Sequence, residues 1–578
     1  MTTELRTIAT AWLTADPDPE TRAELEELLR KNDEAALRDR FGTRLAFGTA
    51  GLRGLLGAGT NRMNRAIVIQ TTEGLGRYVL EQVPDAKRRG IVVGYDGRKK
   101  SREFAEDAAS VLAGLGIRVH LFPKLGPTPL TAFAVLELNA ASGVMITASH
   151  NPPAYNGYKV YWQNGAQIIP PHDVGIAQSI ERARPANQAP RMSLRDAEEA
   201  GLLSYIPDEL SERYLERVER LLPHRDIRPE LSIVVTPMHG AGGELLWRAL
   251  GRCGFDRVTV VPEQAEPDGD FPTVAFPNPE EPGAMDLALA LAKKKKAELV
   301  MANDPDADRL AIAVPDPNGS YVQLTGNEIG VLLGHYLLTE GDQSGKRLVI
   351  STIVSSPMLG RIAKELGVAY EETLTGFKWI ANRAMDREKS AGLRFVFGYE
   401  EALGYCVGDL VRDKDGISAA CAFADLASYC KSQGRTILDE LERIARRFGL
   451  YVSAQRSVTM TGGLDAMTAR MRDLRAELPK TIANKRVLSV RDYLQGTSTS
   501  ADGSVTRLDL PKSDVLAFEL EGGDRLTVRP SGTEPKIKFY ADHRETIADG
   551  ETLAAARERA MQVVQELLSA IASGPPSA

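Results

Sequence analysis

The chain has 578 residues, of which 43% are apolar and 26% charged, with a formal net charge of −7. Such a length is a prior of about four domains, and the balance excludes a disordered, collagen-like or coiled-coil protein. No basic surplus offers the electrostatic footprint of a nucleic-acid binder. The opening residues carry Glu4 and Asp16 and no apolar core, unlike a signal peptide. Residues 1–40 read as polar helix punctuated by Asp16-Pro17-Asp18-Pro19-Glu20, with Leu25, Leu28 and Leu29 on one face of the segment 21–41. This stretch is a cap on the domain that follows or a helix for a partner.

From about residue 41 the pattern becomes strand–helix–strand. Buried runs at 91–96, 119–122 and 143–147 alternate with a helix at 101–115 that has Ser101 as its N-cap. The rhythm recurs at 231–236, 258–261 and 299–302, and again at 348–353 and 395–397, with helices at 358–366, 377–385 and 419–429. Such alternation argues parallel sheets in α/β domains. Lys293–Lys296 is a charge run that complements a helix C-terminus. Beyond 450 the strands alternate in polarity (452–460, 515–520, 537–540) and a helix at 552–572 closes the chain, an α+β pattern. A frayed tail is expected from Ser573. The expected division is a helical extension 1–40, α/β domains 41–205, 206–325 and 326–450, and a smaller α+β domain 451–578. Cys253, Cys406, Cys421 and Cys430 show neither CxxC pairing nor zinc spacing, which points to a reducing compartment. No run of 18 apolar residues occurs. A cytoplasmic protein with no membrane and no nucleic-acid partner is expected.

Four segments carry chemistry. Thr147-Ala148-Ser149-His150-Asn151-Pro152-Pro153 places a hydroxyl just after a buried strand, where α/β ligands bind. A serine hydroxyl is a poor nucleophile unless a base or metal assists it, and Ser149 read alone is as well a turn former. Asp304, Asp306 and Asp308 lie at i, i+2 and i+4 in a tight loop between two strands. They can converge on one hard cation, or form a surface acidic turn. The loop is no EF-hand, since Arg309 and Pro315 stand where that motif needs Gly and Glu. Arg529-Pro530-Ser531-Gly532-Thr533-Glu534-Pro535, followed by Lys536 and Lys538, has the composition of a phosphate cradle. Gly398-Tyr399-Glu400-Glu401-Ala402-Leu403-Gly404-Tyr405, then Asp413-Lys414-Asp415-Gly416, offers carboxylates that suit sugar hydroxyls, or a solvated loop. Together they read as phosphoryl transfer on a sugar phosphate, in a cleft between domains.

In this order, TASHNP with NGYK, DPDADR, GYEEALG and RPSGTEP resemble the α-D-phosphohexomutase superfamily over about residues 41–545. NGYKVYWQNGAQI, GFKWI and GYEEALGYCVGDLVRDKDG look most like its type-2 phosphoglucomutase/phosphopentomutase branch. The resemblance implies three related α/β domains plus a smaller α+β C-terminal domain around a central cleft. It implies Ser149 as a phosphoserine, and one Mg²⁺ per active site held by Asp304, Asp306, Asp308 and the Ser149 phosphate. Arg53 matches the arginine near the active serine, and Lys159 and Lys414 match acid/base or charge-stabilising groups. His150 and Arg309 match residues lining the same site. Thr375, Gly376 and Lys378 match a substrate-binding loop, and Glu400 the sugar-reading acid. Arg529, Ser531, Gly532, Thr533 and Lys538 match the clamp on the phosphate that is not transferred.

The implied activity is that of a phosphoglucomutase, converting glucose 1-phosphate to glucose 6-phosphate, with glucose 1,6-bisphosphate as intermediate and activator. Its partner is a small-molecule sugar phosphate, and the chain is a monomer or weak homodimer. One departure touches the sugar: Ala402 stands where many glucose-acting members have Ser. Phosphopentomutase, phosphomannomutase and hexose-bisphosphate synthase are therefore alternatives on the same scaffold. A non-catalytic sugar-phosphate binder and a metal-dependent phosphatase are alternatives of other classes.

Overall fold

A computed structural model describes residues 3–227, 230–531 and 536–573. The chain forms two compact units, one of Met1–Leu324 with Ala402–Ser432, the other of Thr325–Glu401 with Gln433–Ala578. No helix among the described residues is long and apolar enough to cross a membrane.

The first unit begins with helices Thr3–Ala15, Pro19–Lys31 and Glu34–Phe41. The helix expected across 21–41 is two: Asn32 takes a left-handed φ of 54° that ends one, and the Asp33 side chain accepts from the Ala36 N–H to start the next. Leu5, Ala9, Leu25, Leu37, Phe41 and Ala58 make the small core beneath them.

Two mixed sheets follow. In the first, Ile91–Tyr95 pairs in parallel with Val119–Leu121 and Ser142–Ile146, and Leu203–Tyr205 extends it in parallel. Ile91–Tyr95 and Ser142–Ile146 are buried at every position, as central parallel strands are. Tyr155–Trp162 runs antiparallel to Ser142–Ile146, and Leu52–Leu55 antiparallel to that strand in turn. In the second sheet Ile233–Thr236 is parallel to Val258–Val260 and Leu299–Ala302, and Ala311–Pro315 lies antiparallel beside Leu299–Ala302. The expectation of parallel sheets thus holds for the centres and fails toward one edge of each sheet, beginning at Tyr155–Trp162 and at Ala311–Pro315. The reason is chain length: residues 147–154 and 303–310 are too few for a parallel crossover, which needs roughly a dozen. Both short connections leave the carboxyl end of a central strand, and both carry the residues of interest.

Ser101 is not the cap of its helix, Ser101–Gly114: Lys100 holds that position at φ 65°, and the Ser101 hydroxyl donates to Asp96 Oδ1 at 2.7 Å. The buried carboxylate after Ile91–Tyr95 takes the hydroxyl for itself. Residues 402–432 of the third α/β block are grouped with the first unit. The Gly416 N–H, at the head of helix Gly416–Ser432, donates to the Ala307 carbonyl at 3.2 Å. A Cβ there would sit 2.3 Å from the Arg309 carbonyl oxygen, so only glycine permits the approach.

The second unit has parallel strands Ala369–Thr373, Lys346–Thr352 and Leu393–Glu400 with helices Gly326–Thr339, Met358–Glu365, Phe377–Ala391 and Ile437–Phe448. An antiparallel path then runs Leu450–Thr459, Lys536–Glu545, Arg525–Pro530, Leu516–Leu520 and Lys485–Asp492. Phe518, Leu526, Val528 and Phe539 from this sheet pack with Val564 and Leu567 of the closing helix, Leu553–Ser573. The tail expected to fray continues into residues 574–578, outside the described residues.

Candidate active site

Ser149 follows the strand Ser142–Ile146 and is buried, 3% exposed, at a left-handed φ of 53°. For a residue with a Cβ that conformation costs roughly 1–2 kcal/mol. Its N–H donates to Thr147 Oγ1 at 2.8 Å, and its hydroxyl donates to Asp304 Oδ2 at 2.8 Å. His150 Nδ1 lies 3.2 Å from the same hydroxyl. Two sequence segments 155 residues apart therefore meet at one oxygen.

Asp304, Asp306 and Asp308 are all buried, and their ligand atoms lie within 4.8 Å of one another. The turn that gathers them has Ala307 at φ 52°, its N–H donating to the Asp304 carbonyl at 2.8 Å. Lys159, on the antiparallel strand Tyr155–Trp162, donates to Asp306 Oδ2 at 2.7 Å and Asp308 Oδ2 at 2.8 Å. Thr128 Oγ1 adds a third donor, to Asp306 Oδ2 at 2.6 Å. Lys414 Nζ stands 3.2 Å from Asp308 Oδ2, and the Arg309 N–H donates to Asp304 Oδ1 at 3.0 Å.

The three carboxyls differ in charge state. Burial, then the charges of Asp306 and Asp308, raises the pKa of Asp304 well above the carboxylate range. Burial presses upward on Asp306 too, but the Lys159 charge and the bonds from Lys159 and Thr128 hold it well below that range. Asp308 is held low against burial and the Asp306 charge by Lys159, Lys414 and Arg309. Burial, with the Arg309 and Arg53 charges, keeps His150 well below the imidazole range and so neutral at pH 7. The donors all approach Asp306 and Asp308 on Oδ2. Oδ1 of each is buried and accepts no hydrogen bond among the described residues. Two orphaned carboxylate oxygens beside a third carboxyl are what a hard divalent cation would satisfy. The residues present fit a metal.

Arg53, on the strand Leu52–Leu55, is exposed and donates to Asn151 Oδ1 at 2.7 Å, beside the Ser149 loop. Arg309 pairs with Glu280 at 3.3 Å. Asp413 accepts from the Tyr161 hydroxyl at 2.8 Å and from Gln167 at 2.7 Å, and its other oxygen accepts the Lys414 N–H at 2.8 Å. So Ser149, His150, Lys159, Asp304, Asp306, Asp308 and Lys414 form one connected cluster within the first unit, with Arg53 and Arg309 at its edges.

The remaining candidates lie in the second unit. Glu400 ends the strand Leu393–Glu400, and its Oε1 accepts the Gly376 N–H at 2.6 Å. Gly376, at φ 117°, precedes the helix Phe377–Ala391, so Thr375 is in the loop and Lys378 in the first helical turn. Lys378 Nζ lies 6.0 Å from the Trp379 ring centroid. Arg529 and Lys538 sit directly opposite each other on neighbouring antiparallel strands. Like charges so placed repel, and a bound anion would offset them. The Ser531 N–H donates to the Lys536 carbonyl at 2.7 Å. Gly532 and Thr533 lie outside the described residues.

Phosphoglucomutase/phosphomannomutase family profiles match in four consecutive pieces: alpha/beta/alpha domain I over 44–187, domain II over 212–319, domain III over 325–448 and the C-terminal domain over 469–560. The chain belongs to the phosphoglucomutase/phosphomannomutase family. It is 41% identical to a probable phosphoribomutase of Schizosaccharomyces pombe, over 98% of this chain and 97% of the relative. It is 40% identical to a mouse phosphopentomutase, over 92% of this chain and 89% of the relative. A solved phosphoglucomutase/phosphomannomutase family protein from Burkholderia thailandensis shares the fold at a TM-score of 0.65 and 20% identity, covering 92% of this chain and 98% of that one. The chain is accordingly an enzyme of the α-D-phosphohexomutase superfamily, with a sugar-phosphate mutase activity of that family.

Sequence reading missed two residues of this family member's site. Thr128 contacts the cluster only across a separation of 178 residues, and no local pattern marks it. Arg98 had a signal: in Asp96-Gly97-Arg98 two opposite charges follow a fully buried strand, and such charges are almost never buried unless paired.

Proposed function

We propose that this enzyme moves a phosphoryl group between the 1-position and the terminal hydroxyl of an aldose. Ribose 1-phosphate and ribose 5-phosphate are its preferred pair, and glucose 1-phosphate and glucose 6-phosphate a second. The observation that carries the chemistry is the Ser149 hydroxyl 2.8 Å from Asp304 in a buried three-carboxylate cluster. The two relatives, both named for pentose substrates, support placing the pentose first, and Ala402 has no hydroxyl where many glucose-acting members have Ser.

Asp304, Asp306 and Asp308 would hold a divalent cation, Mg²⁺, which when bound would withdraw charge from the phosphoryl group on Ser149. In the forward step the terminal hydroxyl of the sugar 1-phosphate forms the new P–O bond, and the bond from phosphorus to Ser149 Oγ breaks. The sugar hydroxyl's proton passes to Ser149 Oγ, leaving a bisphosphate and a free serine. In the return step the hydroxyl, held by Asp304 and His150, attacks the other phosphoryl group of the bisphosphate. Its proton goes to His150 Nδ1, 3.2 Å away, a placement that suits a general base. The 1-oxygen leaves, and takes the proton back from His150. Lys159, paired with two carboxylates, stays as fixed positive charge beside the transferring group. Arg529, Ser531 and Lys538 bind the phosphate that is not moved, and Glu400 accepts from sugar hydroxyls. The four cysteines, all free and buried, fit a reducing cytoplasmic setting.

The test is a set of coupled assays on ribose 1-phosphate, glucose 1-phosphate and mannose 1-phosphate, with Mg²⁺ and a trace of the matching bisphosphate. Highest kcat/KM on ribose, stopped by EDTA, is the expected result. Faster glucose or mannose conversion would keep the mechanism and change the substrate. Phosphate release without isomerisation would sink the reading.

A further inference from the structure

We infer that Arg98 is a positioning residue for Ser149, one whose guanidinium sets the backbone on which the serine hydroxyl is aimed. The inference rests on the reading of Ser149 as the phosphoryl carrier. Arg98 and Asp96 both have fully buried side chains. The Arg98 terminal nitrogens donate to three carbonyl oxygens of one irregular loop, Ser149, Asn151 at 2.5 Å and Pro152 at 3.0 Å, and to that of Tyr155 at 3.2 Å, where the next strand begins. Loop carbonyls that face a buried side chain and have no ladder partner need donors from elsewhere, and here one planar cation supplies several at once. A lysine, a point donor on a flexible stem, does not reproduce that fork.

The guanidinium is itself held from three sides. Its Nε lies 3.4 Å from Asp96 Oδ2, its own backbone N–H donates to Asp96 Oδ1 at 3.0 Å, and its plane lies over Phe271 with Cζ 4.9 Å from the ring centroid. Asp96 is in turn bonded by Ser101. Thus the Ser149 carbonyl is fixed by Arg98 and its N–H by Thr147, the two peptide groups on either side of a strained φ of 53°. Released from either, the residue relaxes toward negative φ, and its hydroxyl turns away from Asp304 and His150. The effect is on alignment of the reacting oxygen, not on affinity for the sugar.

The experiment compares Arg98→Gln and Arg98→Lys with the wild type in the full chain. The readouts are kcat and KM for the sugar 1-phosphate, and amide hydrogen exchange across residues 147–157. Arg98→Gln is expected to lower kcat about 100-fold with KM within about threefold. Exchange in 147–157 is expected to quicken at least about tenfold while the strands Ile91–Tyr95 and Leu299–Ala302 keep their protection. Arg98→Lys should restore part of kcat. The inference is overturned by a kcat within about twofold of wild type, by a loss that falls equally on KM, or by unchanged exchange in the loop. It is overturned too if neither variant folds, which would assign Arg98 to the sheet as a whole. Should the wild type turn over no sugar phosphate, the mutase reading fails, and the exchange comparison still decides the role of Arg98 in holding the loop.

Discussion

The Lys159 ammonium bridges Asp306 and Asp308, 2.7 Å from one carboxylate and 2.8 Å from the other, both on Oδ2. The pairing neutralises the inner edge of the cluster and leaves the Oδ1 edge for a cation. Removing a group that merely orients a metal ligand typically costs about 10–100-fold in metal affinity, so loss of a direct ligand costs at least that. Asp308→Asn should therefore weaken Mn²⁺ or Mg²⁺ binding by at least that factor. Titration of the full chain, read by electron paramagnetic resonance of free Mn²⁺, checks it. Equal affinity in the variant would show that the cluster is not the metal site.

Ser149→Ala removes one hydroxyl and leaves a methyl of similar volume in a buried place. Among the described residues the bonds lost are those between the hydroxyl and Asp304 and His150, so the fold should survive with a loss of about 1 kcal/mol. Mutase turnover should fall at least about 10⁴-fold, as when a covalent catalyst loses its nucleophile. Incubated with a sugar bisphosphate, the wild type should gain one phosphoryl group by intact mass and the variant none. A variant that still becomes phosphorylated would place the carrier elsewhere.

Much of this site is legible in the chain because its parts are local. Three aspartates at alternate positions after a buried strand must share a turn, and a serine straight after another buried strand must stand at a sheet end. The lysines are a different matter. Lys159 meets Asp308 across 149 residues, and only the antiparallel placement of its strand brings it there. That placement follows from the brevity of the 147–154 connection, a rule readable in the sequence but masked by an all-parallel reading. The packing of residues 402–432 with the first unit is less accessible still. It depends on Gly416 passing within a Cβ radius of the Arg309 carbonyl, a tertiary fit that no periodicity records.

Arg525 is 3% exposed and holds the second unit together at its centre. Its NH1 donates to Glu372 Oε1 at 2.7 Å, its Nε to Asp542 Oδ2 at 3.0 Å, and a further N–H to the Ser355 carbonyl. It thereby ties the antiparallel sheet to the strand Ala369–Thr373 and the end of Lys346–Thr352. Arg525→Met would leave the buried Asp542 carboxylate without its cation, while Glu372 keeps Arg491 at 2.9 Å. Breaking a buried pair by removing one partner costs about 3–5 kcal/mol. Urea unfolding of the full chain should show that loss in the transition that carries the second unit. Asp542→Asn in the same background should recover part of it, since the stranded charge is then gone. A loss below about 1 kcal/mol would mean that water or another cation replaces Arg525.

Glu401 gives the second unit a pH dependence whose sign is opposite to that of a salt-bridged carboxylate. Its Oε2 accepts from Ser355 at 3.1 Å and Thr352 at 3.2 Å. Burial, then the neighbouring Glu400 charge, pushes its pKa from 4.5 up to about 6, with Arg529 and the Ser355 bond pulling the other way. The fold thus favours the neutral acid. Below about pH 4.5 the group is protonated folded and unfolded, and it costs nothing. Between about 4.5 and 6 the unfolded chain releases its proton first, so stability is lost as pH rises through that window and stays lost above it. The loss is at most about 2 kcal/mol. Glu401→Gln keeps an acceptor for Ser355 and Thr352 but cannot ionise. The melting temperature of the variant minus that of the wild type should grow between pH 4.5 and 6.5 and then level off. A flat difference across that range would show that Glu401 titrates as an ordinary surface carboxyl.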